Sequence, residues 1–272
     1  MSRARNTAIG LGVAALSLAG LALWAERRWP LRRSREPGVR RLVRNGAMAA
    51  LSGVTVQFAQ SPIVAPLAKR VASRKLGLTH RLQLPAAARD ALAIVLMDYT
   101  FYLWHVLTHR WDALYRLHQV HHSDLDLDVS TAVRFHAAEM LVSVPWRAAQ
   151  VRLIGVSPRA LEIWQLVTLC SVLFHHSNWR LPMRVERWLS RLIATPRLHG
   201  IHHSNDPDLQ NSNWSSGLTI WDRLHRTYRD DVPQDAITIG MPRYRMRHQV
   251  TFGQLLRMPR ITASEARSSS DL

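Results

Sequence analysis

The sequence predicts an all-α fold: an integral membrane bundle of about four membrane helices or hairpin segments, with a cytosolic helical cap carrying clustered histidines. Three observations predict it. Uncharged apolar blocks recur along the chain at lengths that matter to a bilayer. Arginines gather between those blocks, with 36 Lys plus Arg against 19 Asp plus Glu. Eleven of the 14 histidines fall between 105 and 203, many at the spacings of three and four that belong to helices.

Residues 7–25 carry no charge, enough as a helix to cross a hydrocarbon core of about 30 Å. Arg3 and Arg5 precede the run as in a signal peptide. The run is long for such a peptide and lacks a small-x-small cleavage site, so a retained helix is expected. Trp24 and Trp29 stand where an interfacial aromatic belt belongs. Eight arginines between Arg27 and Arg44 assign the next loop to the cytoplasm. Residues 46–68 form a second uncharged block, interrupted by Pro62 and Pro66. Residues 1–85 are thus expected to be a membrane hairpin with an Arg-rich loop.

Pro85 and Ala86–Ala88 open a third element that runs through His109. Asp98 lies inside it, and an ionisable group at that depth marks a functional site. With the first loop inside, this helix runs inward and delivers His105 and His109 to its cytoplasmic end. A polar stretch follows the next histidines, with Asp124, Asp126 and Asp128 alternating, and reaches His136 and Glu139. Residues 137–154 are apolar but contain Glu139, Pro145, Arg147 and Arg152, the pattern of a re-entrant or interfacial segment. Residues 160–176 are more apolar and end in His175 and His176, so a hairpin of the two returns the chain to the cytoplasmic side. Residues 183–195 set Val185, Trp188, Leu189, Leu192 and Ile193 opposite Arg184, Glu186, Arg187 and Arg191, as in a helix lying in the interface. Residues 86–232 are expected to form the histidine-bearing domain. Residues 233–272 form a tail without periodicity, its last ten residues predicted to be disordered.

The charge balance raises nucleic acid as a partner, but no recognition motif or basic stripe with interleaved aromatics is present, and nucleic acid is excluded. A single cysteine, Cys170, excludes an internal disulfide and a thiolate-built metal site.

The histidines themselves point to metal. His105 and His109 are four apart. His118, His121 and His122 stand at i, i+3 and i+4 on a helical face, and His199, His202 and His203 repeat that spacing. A structural zinc takes four ligands and a catalytic zinc three plus water, so eight or more imidazoles would fill the shells of two ions. Imidazole alone does not choose among iron, copper, nickel and zinc. A pair of ions held without thiolates or many carboxylates at a membrane surface fits non-haem di-iron chemistry with O2. Nearby Asp and Glu would then balance charge from outside the ligands. A zinc-dependent membrane hydrolase and a non-catalytic metal-binding membrane protein are the alternatives.

The segments DYTFYLWHVLTH, LHQVHHSDLDLDVSTAVRFHAAE, FHHSNWRLP, TPRLHGIHHSN and WDRLHRTY, in that order over residues 90–230, resemble the fatty acid hydroxylase/sterol desaturase superfamily of membrane di-iron enzymes. The resemblance implies iron ligands at His105, His109, His118, His121, His122, His199, His202 and His203. It implies a further ligand at His176, with His175 and His136 as additional candidates. It implies two iron ions, O2 as co-substrate, and hydroxylation or desaturation of a sterol, carotenoid, fatty acyl chain or ether lipid. No electron carrier is fused to these motifs, so an external donor of the ferredoxin or cytochrome b5 type, with its reductase, is expected. Asp98 and Asn178 are candidates for proton delivery or support of the ligands. Val106 and the His225-Arg226 pair depart from the usual family residues, without touching a ligand position. The expected setting is a multi-pass protein of a bacterial inner membrane, its metal site facing the cytoplasm.

Overall fold

In the computed structural model, residue 17, residues 19–36 and residues 38–268 are described, and over these the chain is helical with no strand. Most of the apolar run 7–25 lies outside the described residues; its end belongs to helix α1, residues 19–28.

Four rods make the bundle. The first is α2 (Val39–Thr55) and α3 (Ser61–Ser73), joined by a π turn, Val56–Gln60, with no interruption. Pro62 and Pro66 were the expected break. Neither ring nitrogen can donate one turn back, and the widened turn absorbs the missing bonds without ending the helix. A short α4 (Leu78–Arg81) turns the chain at the far end, and α5 (Ala86–Arg110) returns it. After α6 (Asp112–His122), α7 (Ala137–Gln150) with its π turn Val151–Gly155 forms the third rod and α8 (Pro158–His176) the fourth. Instead of a re-entrant segment, α7 is a continuous rod. The charge that argued against it turns inward: the Arg147 guanidinium lies 4.2 Å from the Trp164 ring centroid and donates to Gln150 Oε1 at 2.6 Å.

Val64, Ala68, Met97, Val151, Ile154 and Trp164 pack the distal core of this bundle. At its far end Gly77 and Gly155 meet backbone to backbone, both at positive φ; a Cβ on Gly77 would lie 2.4 Å from the Gly155 Cα.

The cap holds α9 (Met183–Leu189), α10 (Pro196–His202), α11 (Pro207–Gln210), α12 (Ile220–Leu224), α13 (Phe252–Arg257) and α14 (Ala263–Arg267). Its core joins Met48, Tyr115 and Val120 to Met241, Tyr244 and Leu255. One expectation is corrected here. The last ten residues are not all disordered: Thr262 and Glu265 form a capping box that starts α14, and Ala263 and Ala266 sit in the cap core. Residues 269–272 lie outside the described residues. α9 is amphipathic and turns its apolar side outward rather than into the cap, which is compatible with the interfacial placement its pattern predicts. Its buried residue is Glu186, which accepts the Thr195 hydroxyl, while Met183, Val185 and Trp188 face outward.

One buried polar knot ties the Arg-rich segment to the end of α6. Asp124, two residues past His122, accepts from Arg41 Nε at 2.9 Å and Nη2 at 2.8 Å, Asn45 Nδ2 at 2.8 Å and Thr131 Oγ1 at 2.8 Å. Arg41 also pairs with Asp128, and Arg44 grips Glu36 through two bonds. Burial by itself would raise the Asp124 carboxyl, but the Arg41 and Arg134 charges outweigh it and hold it well below the ordinary carboxylate range.

Removing one partner of such a pair strands the other charge in the interior. Asp124→Asn should therefore lower unfolding stability by about 3–5 kcal/mol, read by denaturant titration of the detergent-solubilised protein. Because the folded carboxyl is depressed, its contribution is complete above the unfolded value of about 4 and is lost as pH falls below it. Acid destabilisation below that point should be weaker in Asp124→Asn.

Candidate metal centre

The histidines meet between the two cores. Four elements supply them: the last turns of α5, the C-terminal half of α6, the end of α8, and α10 with the residue after it. Two groups form. His105, His109, His122 and His202 make one, and His121, His176, His199 and His203 the other; within each group, one ligand atom per residue lies within 4.8 Å of all the rest. None of the eight is more than 7% exposed.

The doublets divide between the groups. Consecutive helical residues point about 100° apart, so one HH pair cannot easily aim both rings at one point. His122 turns to the first group and His121 to the second; His202 turns to the first and His203 to the second. Thus α6 and α10 each straddle both groups. The shared face read from the i, i+3, i+4 spacing is broad enough to serve two centres.

Outer contacts orient the rings. His105 Nδ1 lies 2.7 Å from the Trp214 carbonyl, His176 Nδ1 2.8 Å from the Val172 carbonyl, and His202 Nδ1 2.9 Å from the Ser212 carbonyl. A carbonyl oxygen only accepts, so each Nδ1 carries the hydrogen and each Nε2 is left with its lone pair. His118 does the same against the Glu139 carboxylate at 2.8 Å.

The inward nitrogens are crowded. Nε2 of His176 is 3.0 Å from Nε2 of both His121 and His199, and His199 Nε2 is 3.1 Å from that of His203. Where the facing nitrogens both carry lone pairs, a cation between them turns their repulsion into ligation. Two ligands at right angles around one ion, at an imidazole–metal distance of about 2.1 Å, stand about 3.0 Å apart. The residues therefore fit a metal, and their chemistry suits iron as well as zinc. Burial, reinforced by neighbouring imidazoles, also drives His121, His122, His199, His202 and His203 well below the ordinary histidine value. They stay neutral, which is the ligating form.

Three expected ligands stand apart from the two groups. The His118 ring centroid lies 5.0 Å from His109 and His122 and 5.3 Å from His121, with its Nε2 unpartnered, so it borders both. The His175 ring centroid is 4.1 Å from His199, with both nitrogens unpartnered. His136 is the N-cap of α7, its Nδ1 accepting from the Ala138 N–H at 3.1 Å.

Asp98 and Asn178 are also outside the groups. Asp98 Oδ2 accepts the Trp221 indole N–H at 2.7 Å and the Leu218 N–H at 3.1 Å, pinning the loop before α12 to α5. Asn178 clamps residue 32, accepting its N–H at 2.9 Å and donating to its carbonyl at 2.8 Å. Asp222 binds the N–H groups of Trp214 and Ser215 at 2.9 and 3.0 Å, and so holds the carbonyl that orients His105. Glu139 is the contributor that sequence reasoning left without a role. Its signal was a lone acid inside the apolar run 137–154.

Residues 91–227, about half the chain, match the family profile described as fatty acid hydroxylase. The chain is 32% identical over 160 residues to ornithine lipid hydroxylase OlsE of Rhizobium tropici, covering 58% of this chain and 47% of that protein. It is 30% identical over 168 residues to alkylglycerol monooxygenase of Danio rerio, covering 60% and 35%. It is 25% identical over 181 residues to cholesterol 25-hydroxylase of Homo sapiens, covering 64% and 59%. The chain thus spans between about a third and three-fifths of the length of these relatives. No solved structure matches it.

Because each doublet serves both groups, His122→Ala and His203→Ala should each cost about one of two bound ions, and the double variant both. Elemental analysis of iron-reconstituted protein measures this. A double variant that loses no more than either single one would contradict the division.

Proposed function

The chain belongs to the fatty acid hydroxylase family, and from that premise we propose that it is a membrane-bound, non-haem di-iron oxidoreductase acting on a lipid C–H position. Its reaction uses O2 and electrons from an external donor of the ferredoxin or cytochrome b5 type. The observation that carries this reading is the pair of buried four-histidine groups straddled by α6 and α10. Among the two reactions open to such a centre, hydroxylation is favoured, since the similar proteins are named as hydroxylases and monooxygenases.

Iron held by these histidines would supply the activation of O2 that no side chain can provide. The rest is work for the protein. Three of the eight rings, His105, His176 and His202, are held by outer hydrogen bonds, so part of the ligand geometry is fixed by the protein itself. The two packed cores keep bulk water from the reacting position. Asp98 and Asn178 have positioning roles in this reading, the one fixing the loop that carries Trp214, the other the segment between α1 and α2.

Membrane placement rests on the bundle. α5 is the one helix among the described residues long and apolar enough to pass as a span. The other rods also turn apolar residues outward: Phe58, Ile63, Leu141, Leu153 and Val167 are all at least half exposed. A belt of that kind is what lipid would cover. We place all four rods in the membrane, with the histidine-bearing end at the cytoplasmic side.

Expression of the chain in a lipid-producing host should yield a lipid heavier by one oxygen atom, labelled when the cells are grown under 18O2, and absent with His121→Ala. Iron-loaded protein that leaves every lipid unchanged in the presence of a competent reductant would sink the reading.

A further inference from the structure

A cleft of about 1140 Å³ lies between the Arg-rich segment, the 125–130 loop and residues 234–239. It begins at the end of α1, where Trp24 and Trp29 pack edge to face at 5.2 Å, both exposed. Exposed tryptophans of that kind mark the level of lipid head groups. Part of the cleft wall is apolar, from Leu23, Leu31, Val39 and Leu42.

The polar wall is unbalanced. Arg27, Arg33, Arg35 and Arg180 line the cleft and are exposed, and none makes an ion pair among the described residues. The acids beside them are mostly taken. Asp126 accepts the Ser34 hydroxyl at 2.6 Å and the N–H groups of Arg35 and Glu36 at 2.7 Å each. Asp128 is held by Arg41 and Ser130, Glu36 by Arg44, and Glu26 by the N–H groups of Val129 and Asn178. Asp235 alone lacks a partner there. Four guanidinium groups thus share one apolar-walled cleft with a single open carboxylate.

We propose that this cleft binds the anionic head group, phosphate or carboxylate, of an amphiphilic lipid. Guanidinium groups match both anions through paired N–H donors, and the apolar wall takes the first part of the chains. Resting on the reading of the protein as a lipid oxidoreductase, the cleft names the substrate class: lipids with an anionic head. A neutral lipid would leave the guanidinium cluster uncompensated.

The test uses full-length protein in a non-ionic detergent, titrated with phosphatidylglycerol, phosphatidylcholine and inorganic phosphate. Phosphatidylglycerol should bind at least about tenfold tighter than phosphatidylcholine. Arg33→Gln/Arg35→Gln should abolish that preference, while Arg184→Gln/Arg187→Gln, removing the same charge from exposed positions of α9, should keep it. Equal affinity for both lipids overturns the proposal, as does equal loss in the α9 variant, which would mean unspecific surface charge. Inorganic phosphate displacing the lipid at similar concentration overturns it in favour of a free-anion site. His121→Ala separates the two levels: lipid preference in that variant supports the cleft even where no oxidised lipid is made. Oxidised lipid produced by the native chain with no head-group preference removes the cleft alone.

Discussion

Eight neutral imidazoles converge in two buried groups, and much of the structure serves to hold that arrangement. Nε2 atoms of neighbouring rings stand 3.0 Å apart, and where both carry lone pairs they repel unless a cation lies between them. The folded chain therefore stores an unmet requirement that metal satisfies, in the manner of other sites where binding and folding are coupled. The protein's part is to keep the rings from relaxing away. It does so by giving three of the outer nitrogens fixed acceptors, the carbonyls of Trp214, Val172 and Ser212, with the Glu139 carboxylate holding the neighbouring His118. These acceptors are themselves positioned, Trp214 by the Asp222 carboxylate and the loop beyond it by Asp98.

Local helix geometry then divides the rings into two groups rather than one. A doublet on a helix splits by about 100°, and two such doublets facing each other, on α6 and α10, divide four rings between two points. The remaining histidines come from the ends of α5 and α8 and, as His199, from α10, so the site sits where the bundle meets the cap. Its registry depends on the joint between them. The Arg41–Asp124 pair makes that joint by tying the start of the first rod to the residues just past His122. A buried ion pair adds little net stability over an apolar substitute, but it tolerates only one alignment.

Much of this was legible in the chain, and unevenly. Seven of the eight grouped histidines lie in the boxes whose spacing marked them, because i, i+3 and i+4 place side chains on a common face wherever the helix goes; His176 was marked by the family resemblance alone. The all-helical architecture was legible too, since apolar runs and helical periods are local signals. The assignment of rings to separate groups was not, as it depends on where a second helix lies. Backbone acceptors such as the Trp214 and Ser212 carbonyls leave no mark on residue identity. Arg147 misdirected the reading of α7, because a charge facing aromatic rings inside a bundle looks, in sequence, like a charge facing water. Pro62 and Pro66 misdirected that of the first rod, since a π turn has no clear sequence signature. The disordered tail was a misreading of composition: its capping box is written in Thr262 and Glu265, and its core residues are spaced too far apart to show a period.

X-ray absorption at the iron edge of the reconstituted protein bears most directly on the proposed di-iron centre. Two irons per chain, each with a nitrogen-dominated shell and the multiple scattering of several imidazoles, is the expected result. A single iron per chain, or a shell made mainly of oxygen, would contradict the two-centre arrangement of His105, His109, His122 and His202 beside His121, His176, His199 and His203.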